Sequence, residues 1–176
     1  DHGDQPVRWI GSCKIPAAIL EQKPNLRPVR IQKNALDDGL PQSDLCVSPQ
    51  HRILVRSSIV DRMFGTTEVL VAAKHLVSLS GIDVVDDMTV VEYFHLLFDA
   101  HEVIYSNGAV TESMYTGPEA LKSVSSVARQ EIIELFPELA EMDYSSGTAR
   151  KLVGGRQSRR MALRHKNNQK GLVQPI

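Results

Sequence analysis

The order of apolar and polar residues predicts mostly short β-strands in the first two thirds of the chain. Apolar and polar residues alternate in Gln5–Ile10 and in Arg27–Gln32, which is typical of strands with one buried face. Denser apolar runs predict a strand at Arg52–Arg56 and another within Glu68–Leu79, followed by one helical turn around Ala72–Leu76.

Turn-forming residues separate these runs and indicate one hairpin. Residues 34–44, NALDDGLPQSD, combine Asp-Asp-Gly with Leu-Pro and predict a loop. Asn107 and Gly108 stand between β-rich runs, and both residues tolerate the positive φ of a type I′ turn. We therefore expect a β-meander whose last two strands meet at Asn107-Gly108.

The pattern changes to helical spacing after Gly117-Pro118, and later to a basic stretch. Beyond Asp143 the chain predicts a loop and then a basic helix. We expect a mainly β domain at residues 1–117, a helical extension at 118–143 and a basic tail at 144–176. The apolar residues that predict one or two amphipathic helices in the extension are Leu121, Val124, Val127, Ile132, Leu135 and Phe136.

Charge is distributed unevenly, although the net charge is only −1. Residues 144–176 hold 8 of the 20 Lys and Arg residues and none of the 21 Asp and Glu residues. One hypothesis is that this tail binds an acidic surface or nucleic acid, but it lacks the interleaved aromatic residues on which bases stack. We interpret it instead as a solvated, partly disordered terminus.

The two cysteines and the apolar runs exclude several classes of protein. Cys13 and Cys46 are too few for a disulfide framework, and no C-x-x-C spacing indicates zinc or redox chemistry. We interpret both as small buried apolar residues. No apolar run approaches the roughly 18 residues that a membrane-spanning helix needs.

Few motifs with catalytic chemistry are present. His101-Glu102 begins like a zinc-peptidase motif, but position 105 is Tyr105, so the second metal ligand is missing. A phosphate-binding glycine loop and a G-x-S-x-G nucleophile turn are also absent. What remains is His51, His95 and His101 at predicted strand positions, with Ser48 beside His51. Each histidine alone is more often structural than catalytic.

The order of five segments resembles the Hint fold of hedgehog autoprocessing domains and inteins. The resemblance runs from Asp1 to about Gly117 and is strongest to a bacterial Hint family attached to secreted repeat proteins of alphaproteobacteria. It implies a mainly β, Hint-like fold of short strands with helices largely after residue 117, and a secreted or cell-surface location within a larger bacterial protein. The segments are DHGDQPVRWIG, RPVRIQ, DLCVSPQHRILV, VLVAAKHLV and VEYFHLLFDAHEVIYSNGAVTESMYTG.

The resemblance also implies roles for the four candidate residues. SPQH resembles the family's T-x-x-H block, with Ser48 in the Thr position and His51 in the His position. HEVIYSNG resembles the late block, with His101 at its histidine. FHL resembles a Tyr-Asp-Leu block and puts His95 near the sequence position of its Asp. An N-terminal Cys or Ser of such a domain attacks the preceding carbonyl carbon. The block histidine then protonates the departing nitrogen, and the hydroxyl beside it polarises the peptide.

The substrate implied is the domain's own upstream polypeptide, without a cofactor or metal. We expect Ser48, His51 and His101 on neighbouring strands, with both imidazoles facing one cleft. Because the sequence begins with DHGDQP, within the resemblance, we expect a truncated domain without its nucleophile, inactive by itself. Cleavage by water or an external nucleophile is favoured over splicing, since no terminal Asn follows a histidine. The alternative is a degenerate module with a structural or attachment role, and the sequence leaves the oligomeric state open.

Overall fold

The computed structural model describes residues 2–116, 125–140 and 147–174 and divides into two compact units. Unit 1 is drawn from residues 1–14, 92–102 and 113–149, and unit 2 from residues 15–91, 103–112 and 150–176. The domain bounds predicted at residues 117 and 143 lie outside the described residues and stay predictions.

The described residues form nine β-strands and four α-helices, with short 3-10 turns between some of them. In chain order they are β1 Trp9–Pro16, α1 Ala17–Gln22, β2 Val29–Ile31, β3 Leu45–Val47, β4 Arg52–Arg56, α2 Ser58–Phe64, β5 Glu68–Ala72, β6 Ile82–Val84, β7 Val90–Leu97, β8 Val103–Ser106, β9 Ala109–Glu112, α3 Ser126–Leu135 and α4 Gly155–Asn168. The prediction of a mainly β fold of short strands is confirmed.

Unit 2 contains a four-stranded antiparallel sheet in the order β5-β4-β9-β8. Strand β4 is central, and its Ile53 lies opposite Val71 of β5 and Thr111 of β9. The three middle residues of β4 are all buried, which explains why its sequence is a continuous apolar run instead of an alternating one. The predicted strand at Arg52–Arg56 is confirmed at both ends.

The hairpin predicted at Asn107-Gly108 joins β8 to β9. Asn107 has φ 49° and Gly108 has φ 81°, the two positive values that a type I′ turn needs. Ser106 pairs with Ala109, so the loop has two residues and fixes the register of the last two strands.

A second antiparallel sheet of unit 2 has the order β3-β2-β6. The predicted strand at Arg27–Gln32 is confirmed as β2, whose Val29 and Ile31 are fully buried. Strand β6 was not predicted, because three residues are too few to show a periodicity.

Unit 1 contains most of the paired strands β1 and β7, and it contains helix α3, which confirms the helical prediction at residues 126–135. The strand predicted at Gln5–Ile10 is wrong in its bounds, because β1 runs from Trp9 to Pro16 through Gly11. Gly11 does not end the strand. A Cβ at this position would collide with the indole ring of Trp9, so the glycine makes room for that ring.

The apolar cluster of unit 1 joins its strand and helix. Ile132 of α3 is fully buried, and Trp9 Nε1 donates a hydrogen bond to Glu131 Oε2 at 2.9 Å. The prediction of helices over residues 119–124 falls outside the described residues. The buried members of the cluster are Leu97, Met114, Ile132, Phe136 and Leu139.

Two short helices, α1 and α2, lie before residue 117, where the only helical element expected was one turn around Ala72–Leu76. Each spans less than two full turns, so apolar spacing alone does not reveal it. The caps of α2 were the available signal: Ser57 Oγ accepts the Val60 N–H at 3.2 Å, and Gly65 ends the helix with φ 64°. No helix of the described residues is long and apolar enough to cross a membrane.

The interpretation of residues 144–176 as a solvated terminus is wrong for the described part of that segment. The predicted basic helix exists as α4, but its Met161, Ala162 and His165 are buried in unit 2. After α4, the Leu172 N–H and Val173 N–H donate to the Leu36 carbonyl at 3.0 and 2.9 Å. The basic side chains occupy the exposed face of a helix whose other face is part of the core.

A buried serine–histidine pair links α2 to α4. The His165 Nδ1 atom lies 3.0 Å from the Met161 carbonyl oxygen, which can only accept, so Nδ1 carries the ring proton. Nε2 therefore accepts from Ser57 Oγ at 2.9 Å. Burial lowers the pKa of His165, opposed by the Met161 hydrogen bond and assisted by the positive charge of Lys170.

We expect the free energy of unfolding to fall as pH drops below about 6.5, the ordinary pKa of an unfolded histidine. The pKa of His165 is lower in the folded protein, so below that pH the unfolded chain binds more protons and is favoured. Chemical denaturation between neutral and mildly acidic pH measures this slope. The His165→Gln variant should have a shallower slope than the parent, and an identical slope would contradict the assignment.

Candidate functional site

Ser48 and His51 are held together by a tight turn between β3 and β4. The His51 backbone N–H donates to the Ser48 carbonyl oxygen at 3.0 Å and to Ser48 Oγ at 3.2 Å. Pro49 follows Ser48, and its fixed φ suits the second position of such a turn. Ser48 Oγ accepts a hydrogen bond here, so the hydroxyl proton of Ser48 is still able to be donated.

The same turn is fastened to the segment after β5. The Ala73 N–H donates to the His51 carbonyl oxygen at 2.9 Å, and the Lys74 N–H donates to the Pro49 carbonyl oxygen at 3.0 Å. His51 is partly buried. Its backbone is therefore fixed on both sides of the Cα atom, at the point where the chain enters the central strand of the sheet.

Glu112 is a residue of this region that the sequence analysis did not select. It ends β9, is buried, and accepts the Arg52 backbone N–H at 2.9 Å. The Arg52 guanidinium also donates to it, with Nη1 at 2.9 Å from Oε2. No sequence signal indicated its burial, because alternation in β9 places Glu112 on the same face as the partly buried Val110, opposite Ala109 and Thr111.

His101 is a buried histidine of unit 1. Its Nδ1 accepts the Ala149 backbone N–H at 3.2 Å, which places the ring proton on Nε2. The ring packs against Tyr115 with centroids 5.2 Å apart and an interplanar angle of 57°. His101 thus has a defined tautomer and a fixed ring orientation, with Nε2–H as its donor.

His95 lies in β7, with its side chain partly buried. Burial lowers the pKa of His95, so the neutral imidazole is favoured near neutral pH. The backbone beside it is fixed, since the Met114 N–H donates to the Leu96 carbonyl oxygen at 2.8 Å.

The structure brings Ser48 and His51 together within unit 2, and it places His95 and His101 in unit 1. The expectation that His51 and His101 face a single cleft stays a prediction. In residues 2–116, 125–140 and 147–174, no group of three or more His, Cys, Asp or Glu side chains could hold a metal ion.

A family model described as the Hint domain matches residues 1–118. The chain belongs to the Hint domain family. No curated protein and no solved structure matches it. Hint domains are generally autoprocessing, and the antiparallel sheets described above are consistent with a Hint-like fold.

The Hint match contains all four predicted site residues, Ser48, His51, His95 and His101, and also contains Glu112. Helices α3 and α4 lie beyond its end. Nevertheless α4 buries Met161 and Ala162 in the same apolar cluster as Ile53 and Val71 of the Hint sheet. In this protein the Hint core is therefore completed by residues outside the family match.

Both cysteines of the Hint domain lie inside strands. Cys13 is partly buried in β1, and Cys46 is exposed in β3, where it pairs with Arg30 of β2. The interpretation of the two as buried apolar residues is wrong for Cys46, because the alternation of β3 turns Val47 inward and Cys46 outward, and Cys13 is only partly buried. Partial covering of the sulfur still raises the pKa of the Cys46 thiol, although Arg30 opposes that rise.

Proposed function

We propose that this Hint domain cleaves the polypeptide that precedes it by an acyl shift, with His51 as the general acid. The attacking residue is a Cys or Ser that opens the domain ahead of Asp1. Neither Cys13 nor Cys46 suits this role, because both are internal to strands within the matched region. Water or an external nucleophile then releases the upstream fragment.

The bonds and protons of this reaction balance without a cofactor. The nucleophile loses its proton to solvent and forms a bond to the carbonyl carbon of the residue before it, which gives a tetrahedral intermediate. As the C–N bond breaks, His51 donates a proton to the departing nitrogen, which becomes a free α-amino group. Water or a thiol then attacks the carbonyl carbon of the thioester or ester, and the bond from that carbon to the nucleophile breaks. The upstream fragment leaves as a carboxylic acid or a new thioester, the nucleophile takes the proton of the attacking group, and His51 regains a proton from solvent.

The observation that supports the proposal most is the set of hydrogen bonds that fixes the main chain of His51. General acid catalysis needs an imidazole held within hydrogen-bond reach of the leaving nitrogen. The hydrogen bonds to the His51 N–H and carbonyl fix its main chain before any substrate segment is present. Ser48 supports the turn and keeps a hydroxyl proton for the scissile carbonyl. His101 and His95 are the further candidates, as a fixed Nε2–H donor and a neutral imidazole.

A second candidate function is that of a degenerate module with a structural or attachment role. The observation that favours it is the hydrogen bond from the His51 N–H to Ser48 Oγ, which gives the serine a structural reason to be there. In that case, His51 does no chemistry. The two candidates differ in one measurable property, the thiol-dependent formation of fragments.

The chain extended ahead of Asp1 by the residues that its gene encodes there is expected to break into two fragments. Incubation with a thiol should accelerate the break, because a thioester or ester reacts with thiols and an ordinary amide does not. Intact-mass analysis gives the position of the cut, expected directly before the Cys or Ser that opens the domain. An extended protein that stays whole, with or without thiol, would favour the degenerate module.

A further inference from the structure

The carboxylate of Glu112 has three contacts with the residue that follows His51. Oε1 accepts the Arg52 backbone N–H at 2.9 Å, while Arg52 Nη1 lies 2.9 Å from Oε2 and 3.3 Å from Oε1. Glu112 is only 6% exposed. Burying a carboxylate costs free energy unless it has hydrogen-bonding or charged partners, and Arg52 supplies such partners to Glu112.

These contacts act on a single peptide unit. The His51 carbonyl and the Arg52 N–H belong to the same planar peptide. The carbonyl accepts from the Ala73 N–H at 2.9 Å on one side, and the N–H donates to Glu112 at 2.9 Å on the other. Since this plane is held by Glu112 at the end of β9 and by Ala73 just after β5, and the His51 N–H is held by Ser48, the rotation ψ of His51 is restrained, and with it the direction of the His51 Cα–Cβ bond.

We propose that Glu112, acting through Arg52, is a positioning residue for His51 in the autoprocessing reaction. The inference rests on the proposed function. Ser48 restrains His51 from the N-terminal side, where the His51 N–H donates to it, and Glu112 restrains the C-terminal side. A displacement of about 1 Å in a catalytic group can reduce a rate by roughly 10²-fold, so the restraint matters for the chemistry.

A matched ion pair on the same strand supplies the control. At the other end of β4, Arg56 lies 3.7 Å from Glu68, which also accepts from Arg150 Nε at 2.7 Å. Glu68 is partly buried. Like Glu112, it is a carboxylate on a β-strand that pairs with an arginine of β4. Four residues of strand, about 13 Å, separate the two arginines. Glu68→Gln therefore removes the same kind of charge without touching the His51 peptide.

The dependence of cleavage on thiol concentration separates positioning from loss of structure. At high thiol the rate reaches a plateau set by the acyl shift, and at low thiol the rate depends on the equilibrium of that shift and on thiolysis. A general acid speeds the shift in both directions equally and leaves its equilibrium unchanged. Misplacing the acid therefore lowers the plateau and lowers the half-saturating thiol concentration by the same factor, while the initial slope is preserved.

The experiment uses the extended protein with Glu112→Gln, Glu112→Ala or Glu68→Gln, at a temperature well below the lowest unfolding midpoint. We expect the plateau to fall roughly 10-fold in Glu112→Gln, which keeps an oxygen acceptor for the Arg52 N–H, and further in Glu112→Ala. The half-saturating thiol concentration should fall in parallel. Glu68→Gln should keep the plateau within about two-fold of the parent.

Besides an unchanged plateau in the Glu112 variants, two results would overturn the positioning role. One is a uniform loss of rate at all thiol concentrations, which is the signature of a smaller folded fraction. The other is an equal loss of plateau in Glu68→Gln. A His51→Ala variant in the same series separates this proposal from the one on which it rests: if His51→Ala slows cleavage and the Glu112 variants do not, only the positioning role is refuted.

Discussion

The 176-residue chain incubated alone with a thiol is expected to stay whole, while the extended protein is cleaved. An acyl shift depends on a nucleophile one residue from the carbonyl that it attacks, and only such placement gives effective molarities of about 10⁵ M or more. Cys13 and Cys46 do adjoin a carbonyl, but each peptide lies in a paired strand. A planar, hydrogen-bonded peptide has no distortion toward the tetrahedral intermediate.

Cys46 has a further obstacle, because its raised pKa reduces the fraction of thiolate near neutral pH. Intact-mass analysis of the 176-residue chain measures the outcome. Cys13→Ser and Cys46→Ser in the extended protein are the controls and should be cleaved at the parental rate, whereas Ala at the residue that opens the domain should abolish cleavage. A fragment that begins at Cys13 or Cys46 would contradict the assignment of the nucleophile.

Replacing His51 by alanine in the extended protein is expected to slow the plateau rate of cleavage by roughly 10²-fold or more, as for other losses of a general acid. Without the imidazole, the departing nitrogen has to leave as an unprotonated amide anion or take its proton from water. The plateau at high thiol measures the acyl shift directly. His75→Ala, in the 3-10 turn after β5, is the control for the loss of a histidine in unit 2 and should leave the rate unchanged.

Ser48→Ala should have a smaller effect than His51→Ala. The Ser48 carbonyl still accepts the His51 N–H at 3.0 Å, so the turn keeps one of its two hydrogen bonds and the proton donor stays in place. Loss of the hydroxyl removes about 1 kcal/mol of hydrogen bonding from the turn and a donor to the scissile carbonyl. Cleavage at the parental rate in His51→Ala would refute its role as general acid, whatever the Ser48 result.

Local sequence patterns were sufficient to predict those elements that depend on only a few neighbouring residues. The apolar run at Arg52–Arg56 predicted β4 with both ends correct, and Asn107-Gly108 predicted the hairpin because a type I′ turn needs residues that tolerate positive φ. The spacing of three between Ser48 and His51 fits the turn that joins them, although both residues were expected on strands and lie between β3 and β4. The family resemblance added roles for those residues, which their spacing alone does not assign.

The errors arose where the local pattern was too short or too ambiguous to show the element. The strand predicted at Gln5–Ile10 stopped before Gly11, but the ring of Trp9 occupies the space beside that glycine and the strand continues to Pro16. Cys46 was expected to be buried, and its strand turns it outward. Helix α2 was missed because seven residues with caps at Ser57 and Gly65 show no helical period.

What the sequence determined by itself was the mainly β class and the hairpin, which depend on backbone preferences and short-range spacing. Membership of the Hint family follows from the family match over residues 1–118 and not from those patterns. Tertiary structure alone decided that Met161 and His165 of a basic helix complete the core, and that Glu112 reaches the peptide after His51. Residues 52 and 112 are neighbours only because β9 packs beside β4, and a buried charge becomes informative only when its partner is known.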